Sequence, residues 1–102
     1  LAAGGAEARD VAVSGTDVYV AGYYTNGSYK YVACCWKNGS AMDLYNSTAN
    51  HAQAYGLCLD GIDVYVAGYV NEGVRTACYW KNGTRTTLQA NTSAAFSITI
   101  AE

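Results

Sequence analysis

The sequence holds no proline, one phenylalanine, one methionine and one histidine in 102 residues. Charge is scarce too: 14% of residues are charged, with a formal net charge of -2. Each shortage excludes something. A disordered chain is rich in charge and poor in hydrophobics, whereas 51% of this one is apolar. A nucleic-acid binder needs a clustered basic face, and six scattered lysines and arginines do not build one. No apolar run approaches the ~18 residues of a membrane span, and no signal- or transit-peptide pattern is visible. A soluble chain without a membrane partner is therefore expected. Tyrosine, by contrast, is abundant, with ten residues; eleven glycines and seven asparagines point to many tight turns.

An internal repeat organises the chain. Gly15-Thr16-Asp17-Val18-Tyr19-Val20-Ala21-Gly22-Tyr23 returns 46 positions later as Gly61-Ile62-Asp63-Val64-Tyr65-Val66-Ala67-Gly68-Tyr69. Trp36-Lys37-Asn38-Gly39 returns 44 positions later as Trp80-Lys81-Asn82-Gly83. A period in the mid-forties suits a four-stranded propeller blade, although helical repeats share that length. No window carries a sustained helical apolar period, and β-branched and aromatic residues dominate, so strands are expected. Strand one is read at Arg9 to Ser14 and Tyr55 to Asp60, and strand two at Asp17 to Tyr23 and Asp63 to Val70. Strand three is read at Tyr29 to Trp36 and Val74 to Trp80, and strand four at Ser40 to Tyr45 and Thr84 to Gln89. Asn38-Gly39 and Asn82-Gly83 accept positive φ at both central positions of a two-residue hairpin turn.

Strand two is apolar on both sides, with Val18 and Val20 on one and Tyr19 and Ala21 on the other. A sheet with one wet face alternates apolar with polar. Covering both faces calls for a sandwiched sheet, as in stacked blades. The tail, Leu88 to Glu102, aligns without a gap on Leu1 to Gly15, so strand one occurs a third time. The fold class is thus all-β: a β-propeller with two four-stranded blades per chain, completed by oligomerisation. Blade 1 spans 1–50 with the first copy of strand one, blade 2 spans 51–93, and 94–102 is the extra copy. Because propellers carry about four to eight blades, a homo-trimer with six is favoured over a tetramer with eight. The tail copy, with Phe96, Ile98 and Ile100, is a candidate for strand exchange with a neighbouring chain.

Val11-Ala12-Val13 followed by Asp17-Val18-Tyr19-Val20-Ala21-Gly22 resembles blade openings in the NHL and bacterial beta-propeller-repeat families. The segments ending in Trp-Lys-Asn-Gly look like bacterial propeller repeats whose third strand ends that way. The resemblance covers nearly the whole chain and implies the fold. It implies little about activity, since propellers serve as enzymes, lectins and scaffolds alike. Families of this kind carry all their blades on one chain, so two blades imply a piece of a ring or a chain that assembles with itself.

The expected function is a self-assembling, non-enzymatic structural or interaction scaffold. The alternative is multivalent, lectin-like binding of a glycan or small ligand at repeated inter-blade pockets. Its candidate residues are Trp36, Lys37, Asn38, Trp80, Lys81 and Asn82, joined by the repeated aromatics Tyr23 and Tyr69. An indole beside an amide and an ammonium can stack on a sugar and bond its hydroxyls, and repetition would add avidity. The same residues also serve as blade packing and turn. His51 stands alone, with no Gly-x-Ser-x-Gly elbow elsewhere, and is assigned a structural role. Cys34, Cys35, Cys58 and Cys78 lack Cys-x-x-Cys spacing and read as reduced packing residues. Asp17 and Asp63 repeat beside turns and read as backbone caps. A propeller hydrolase would need Asp10, Asp60 or His51 gathered at the ring axis. No catalytic residue, metal ligand or cofactor is assigned. The expected partner is a second copy of the chain, with a glycan as the alternative.

Overall fold

Alternating apolar side chains and Asn-Gly turns resolve into eight strands in the computed structural model, which describes residues 5–89. The first sheet runs β1 (Ala6–Ser14), β2 (Asp17–Thr25), β3 (Tyr31–Lys37) and β4 (Ser40–Tyr45). The second runs β5 (His51–Asp60), β6 (Asp63–Asn71), β7 (Arg75–Lys81) and β8 (Thr84–Gln89). Both are antiparallel with neighbouring strands in chain order. The protein is therefore all-β, built from two four-stranded antiparallel sheets. The first strand of the first sheet, Ala6–Ser14, holds the first copy of strand one and pairs with β2. The tail copy at 94–102 lies outside the described residues.

The β3–β4 and β7–β8 turns have positive φ at both central residues, 51° and 87° at Asn38-Gly39 and 50° and 90° at Asn82-Gly83. That geometry matches the strand twist, and asparagine tolerates it better than most residues. Asn82 also locks the turn to β6. Its Oδ1 accepts the Val64 N–H at 2.8 Å, its N–H donates to the Val64 carbonyl at 2.8 Å, and its Nδ2 donates to Asp63 Oδ1 at 3.0 Å. Asn38 makes the same three bonds to Val18 and Asp17. Asn82→Ala is expected to cost about 2 kcal/mol, through two lost side-chain hydrogen bonds and a strained φ. Asn82→Gly keeps the turn geometry and should cost about half as much. Urea unfolding of both variants checks this; an alanine variant as stable as the parent would show that the clamp contributes nothing.

β1 and β5 each carry an extra residue, Arg9 and Tyr55, at a register shift between Ala8 and Asp10 and between Ala54 and Gly56. Opposite these bulges lie Gly22 and Gly68. A Cβ on Gly68 would sit 2.0 Å from the Gln53 carbonyl oxygen, and one on Gly22 would sit 2.0 Å from that of Glu7. Close backbone approach, rather than positive φ, is what demands glycine there.

The core forms where β5 lies against β1, β2 and β3. The first sheet contributes Ala21, Ala33 and Cys35, edged by Ala12 and Tyr19. The second contributes Ala52, Ala54, Leu57, Val66, Val70, Cys78 and Trp80. Period-2 alternation makes these unlike faces of the repeat. Trp80 points into the core, whereas its counterpart Trp36 belongs to the opposite side of the first sheet. The two sheets thus stack in one direction, each presenting a different face to the next. Asp10 joins β1 to β5, its Oδ2 accepting the Leu57 N–H at 2.9 Å.

Candidate functional site

The repeated Trp-Lys-Asn segments do not gather into one cluster of side chains. Trp36 and Lys37 are consecutive in β3 and therefore project to opposite faces, as do Trp80 and Lys81 in β7. Both indoles are buried, Trp36 at 4% exposure and Trp80 at 1%. Trp80 Nε1 is buried with no hydrogen-bond partner, so that ring is held for its volume. The ammonium groups lie over cross-strand tyrosines, Lys37 Nζ 5.6 Å from the Tyr19 ring centre and Lys81 Nζ 5.7 Å from that of Tyr65. The asparagine amides are committed to the turn clamps. Asp17 and Asp63, read from the sequence as caps of their own backbone, instead brace those asparagines across the hairpin.

Tyr23 and Tyr69 belong to a continuous belt of aromatic and cationic side chains. Arg9 lies 5.7 Å from the Tyr23 ring centre and 5.1 Å from that of Tyr55. Tyr55 packs on Tyr69 at 5.9 Å, and Arg75 covers Tyr69 at 4.9 Å. On the other side, Tyr23 contacts Tyr31 at 4.8 Å, and Tyr31 contacts the His51 ring at 4.7 Å. Polar groups fix the belt. Tyr23 donates to Glu7 Oε1 at 2.9 Å, Glu7 also pairs with Arg9 at 2.9 Å, and Tyr55 donates to Gln53 Oε1. His51 Nδ1 accepts the Tyr31 N–H at 3.0 Å. Burial, reinforced by the Glu7 bond, raises the Tyr23 phenol, and burial raises Tyr69. Both are neutral hydroxyls at neutral pH, able to donate or accept hydrogen bonds.

Arg9, Tyr31, Tyr55 and Arg75 are absent from the residues chosen on sequence. A signal for two of them exists: Arg9 and Tyr55 are 46 positions apart, in the repeat's register, and both are bulge residues. A bulge re-aims a side chain, which a strict period-2 reading does not anticipate.

The other chemical groups are occupied by structure. Burial, followed by the nearby Asp43 carboxylate, pushes the Cys34 thiol up to about 12, and burial pushes Cys35 and Cys78 up to about 11. All four cysteines are free, and these three are protonated packing residues at neutral pH. Both Asp10 oxygens accept backbone N–H bonds, from Val11 and Leu57. Among the described residues, no three His, Cys, Asp or Glu side chains come together to hold a metal ion. Among the described residues, pockets of about 390 Å³ open at two places. One, on the outer side of the first sheet, is lined by Val18, Val20 and Trp36 with Ala6, Glu7, Ala8 and Gly39. The other lies between the sheets, lined by Tyr19, Cys35, Lys37, Met42, Ile62 and Val64 among others. Comparison with protein-family models, curated proteins and solved structures finds no match.

Proposed function

We propose that this chain is a self-assembling β-propeller repeat module, a non-enzymatic structural or interaction scaffold in which three copies close a six-bladed ring. Each sheet is one blade. The observation that carries this reading is the unequal fate of three repeated positions on one face of each sheet. In the second sheet Leu57 is 8% exposed beneath the first sheet, while its counterpart Val11 is 59% exposed. Val13 is 64% exposed and Val18 41%, where their counterparts Leu59 and Val64 are partly buried against the core. Repeat units bury such faces on a neighbour, and a head-to-tail stack of this kind closes into a ring by rotation. The recurring Trp-Lys-Asn-Gly segments and their resemblance to bacterial propeller repeats support the same fold. Burial of both indoles supports packing over ligand contact at those positions.

Native mass spectrometry of the purified chain tests the proposal. Three copies of the 10.8 kDa chain, about 32 kDa, are expected. Val13→Asp, which places a charge in the interface, should convert the ring to single chains of unchanged strand content. A 10.8 kDa parent protein overturns the assembly; a tetramer corrects the blade number to eight.

A second reading, glycan or small-ligand binding, is favoured by the belt, where Tyr31 is exposed beside Tyr23 and His51. A glycan array read with Tyr31→Ala as control tests it, and binding there should leave tryptophan fluorescence unchanged.

A further inference from the structure

Resting on that assembly, we infer that the ring alternates two unlike interfaces, and that Tyr79 of one copy fills the pocket beside Trp36 of the next. Val11, Val13 and Val18 are exposed on the outer face of the first sheet, and Tyr79 is half-buried on the far face of the second. These two faces continue, one repeat on in each direction, the sheet-to-sheet interface inside the chain. Their occupant is therefore a second copy of this chain, stacked in the same direction.

Side-chain volume distinguishes the two interfaces. Inside the chain, the small Ala12 and Cys35 of the first sheet meet Leu57, Leu59 and Trp80 of the second. The repeat replaces Ala12 by Cys58 and Cys35 by Tyr79, which are larger. It replaces Leu57 and Leu59 by Val11 and Val13, which are smaller. Tyr79 pairs with Ala67 while Trp80 pairs with Val66 in the core, so Tyr79 and Ala67 project from the far face of the second sheet. The enlarged positions thus lie on that far face, and the reduced ones on the outer face of the first sheet. Stacked head to tail, large meets small again, with the partners exchanged. The roughly 390 Å³ pocket at Val18, Val20 and Trp36 stands where the intrachain template puts position 79 of the neighbouring copy. A core tolerates hydrophobic exchange when total volume is kept and resists it otherwise. The two interfaces are therefore not interchangeable, which fixes an even number of blades and a single direction of stacking.

A mutant cycle tests this under reducing conditions, with assembly followed by sedimentation and strand content by circular dichroism. Tyr79→Cys should raise the ring dissociation constant about 10- to 100-fold with strand content retained. Adding Val11→Leu and Val13→Leu to it brings three of the four exchanged positions to their intrachain identities and should restore assembly to within about threefold of the parent. The two leucine substitutions without Tyr79→Cys should overpack and weaken assembly. Full assembly of Tyr79→Cys, or leucine effects that are the same whatever residue stands at 79, overturns the inference while leaving the ring intact. A parent protein that is itself a 10.8 kDa monomer overturns the ring reading and this one with it.

Discussion

Gly68→Ala is expected to lower stability by about 3–5 kcal/mol, which is most of what a domain of this size has. A Cβ there would stand 2.0 Å from the Gln53 carbonyl oxygen and 3.0 Å from Ala54 Cα, both backbone atoms. Neither can swing aside as a side chain would. Relief requires the β5 bulge at Tyr55 to move, and that strand carries Ala52, Ala54 and Leu57 in the core. Gly22→Ala meets the same clash against Glu7 and should cost a similar amount. Gly27→Ala is the control: nothing lies within 4 Å of its Cβ, so its effect should stay within about 0.5 kcal/mol. Thermal melting should place the Gly68 variant about 15 °C or more below the parent. A drop no larger than that of the Gly27 variant would mean that the bulge yields freely.

The second large effect concerns the two tryptophans, which have the same local sequence. Trp80→Ala removes the largest fully buried side chain from between the sheets and should cost about 3–5 kcal/mol. Because its Nε1 has no partner, Trp80→Phe forfeits no hydrogen bond and should cost about 1–2 kcal/mol. Trp36 lies outside that core, beside the pocket on the outer side of the first sheet. Under the proposed assembly, the Trp36→Ala loss should grow with protein concentration, since it weakens the contact between copies, whereas the Trp80→Ala loss should not. Denaturation at two concentrations a hundredfold apart separates the cases. Equal, concentration-independent losses at both positions would contradict the difference in their surroundings.

The sequence alone determined the number and order of the strands and the Asn-Gly turns between them, while strand three, read from Tyr29 and Val74, begins at Tyr31 and Arg75. β4 and β8 run as read, at Ser40–Tyr45 and Thr84–Gln89, and the Asn-Gly turns at 38–39 and 82–83 adopt the expected positive φ. These are local matters, fixed by alternation and by residues that accept a rare backbone conformation. The first strand of each sheet was less legible: β1 begins at Ala6 and β5 at His51, ahead of the Arg9 and Tyr55 starts read from the pattern. The bulges at Arg9 and Tyr55 break the alternation, so the segments before them do not continue the period although the pairing does. Trp36 and Lys37 were legible as a repeated motif, but their opposite directions separate groups that stand side by side in the sequence. The Arg9–Tyr55–Tyr69 belt, the Asp10 bond to Leu57 and the need for glycine at 22 and 68 come from tertiary structure alone. Each depends on which strand or sheet lies opposite, a contact between residues far apart in the chain. Two identical Trp-Lys-Asn-Gly segments therefore differ in surroundings because the second sheet has the first packed on its Trp80 face, while Trp36 is buried on the other side of the first sheet, away from that contact.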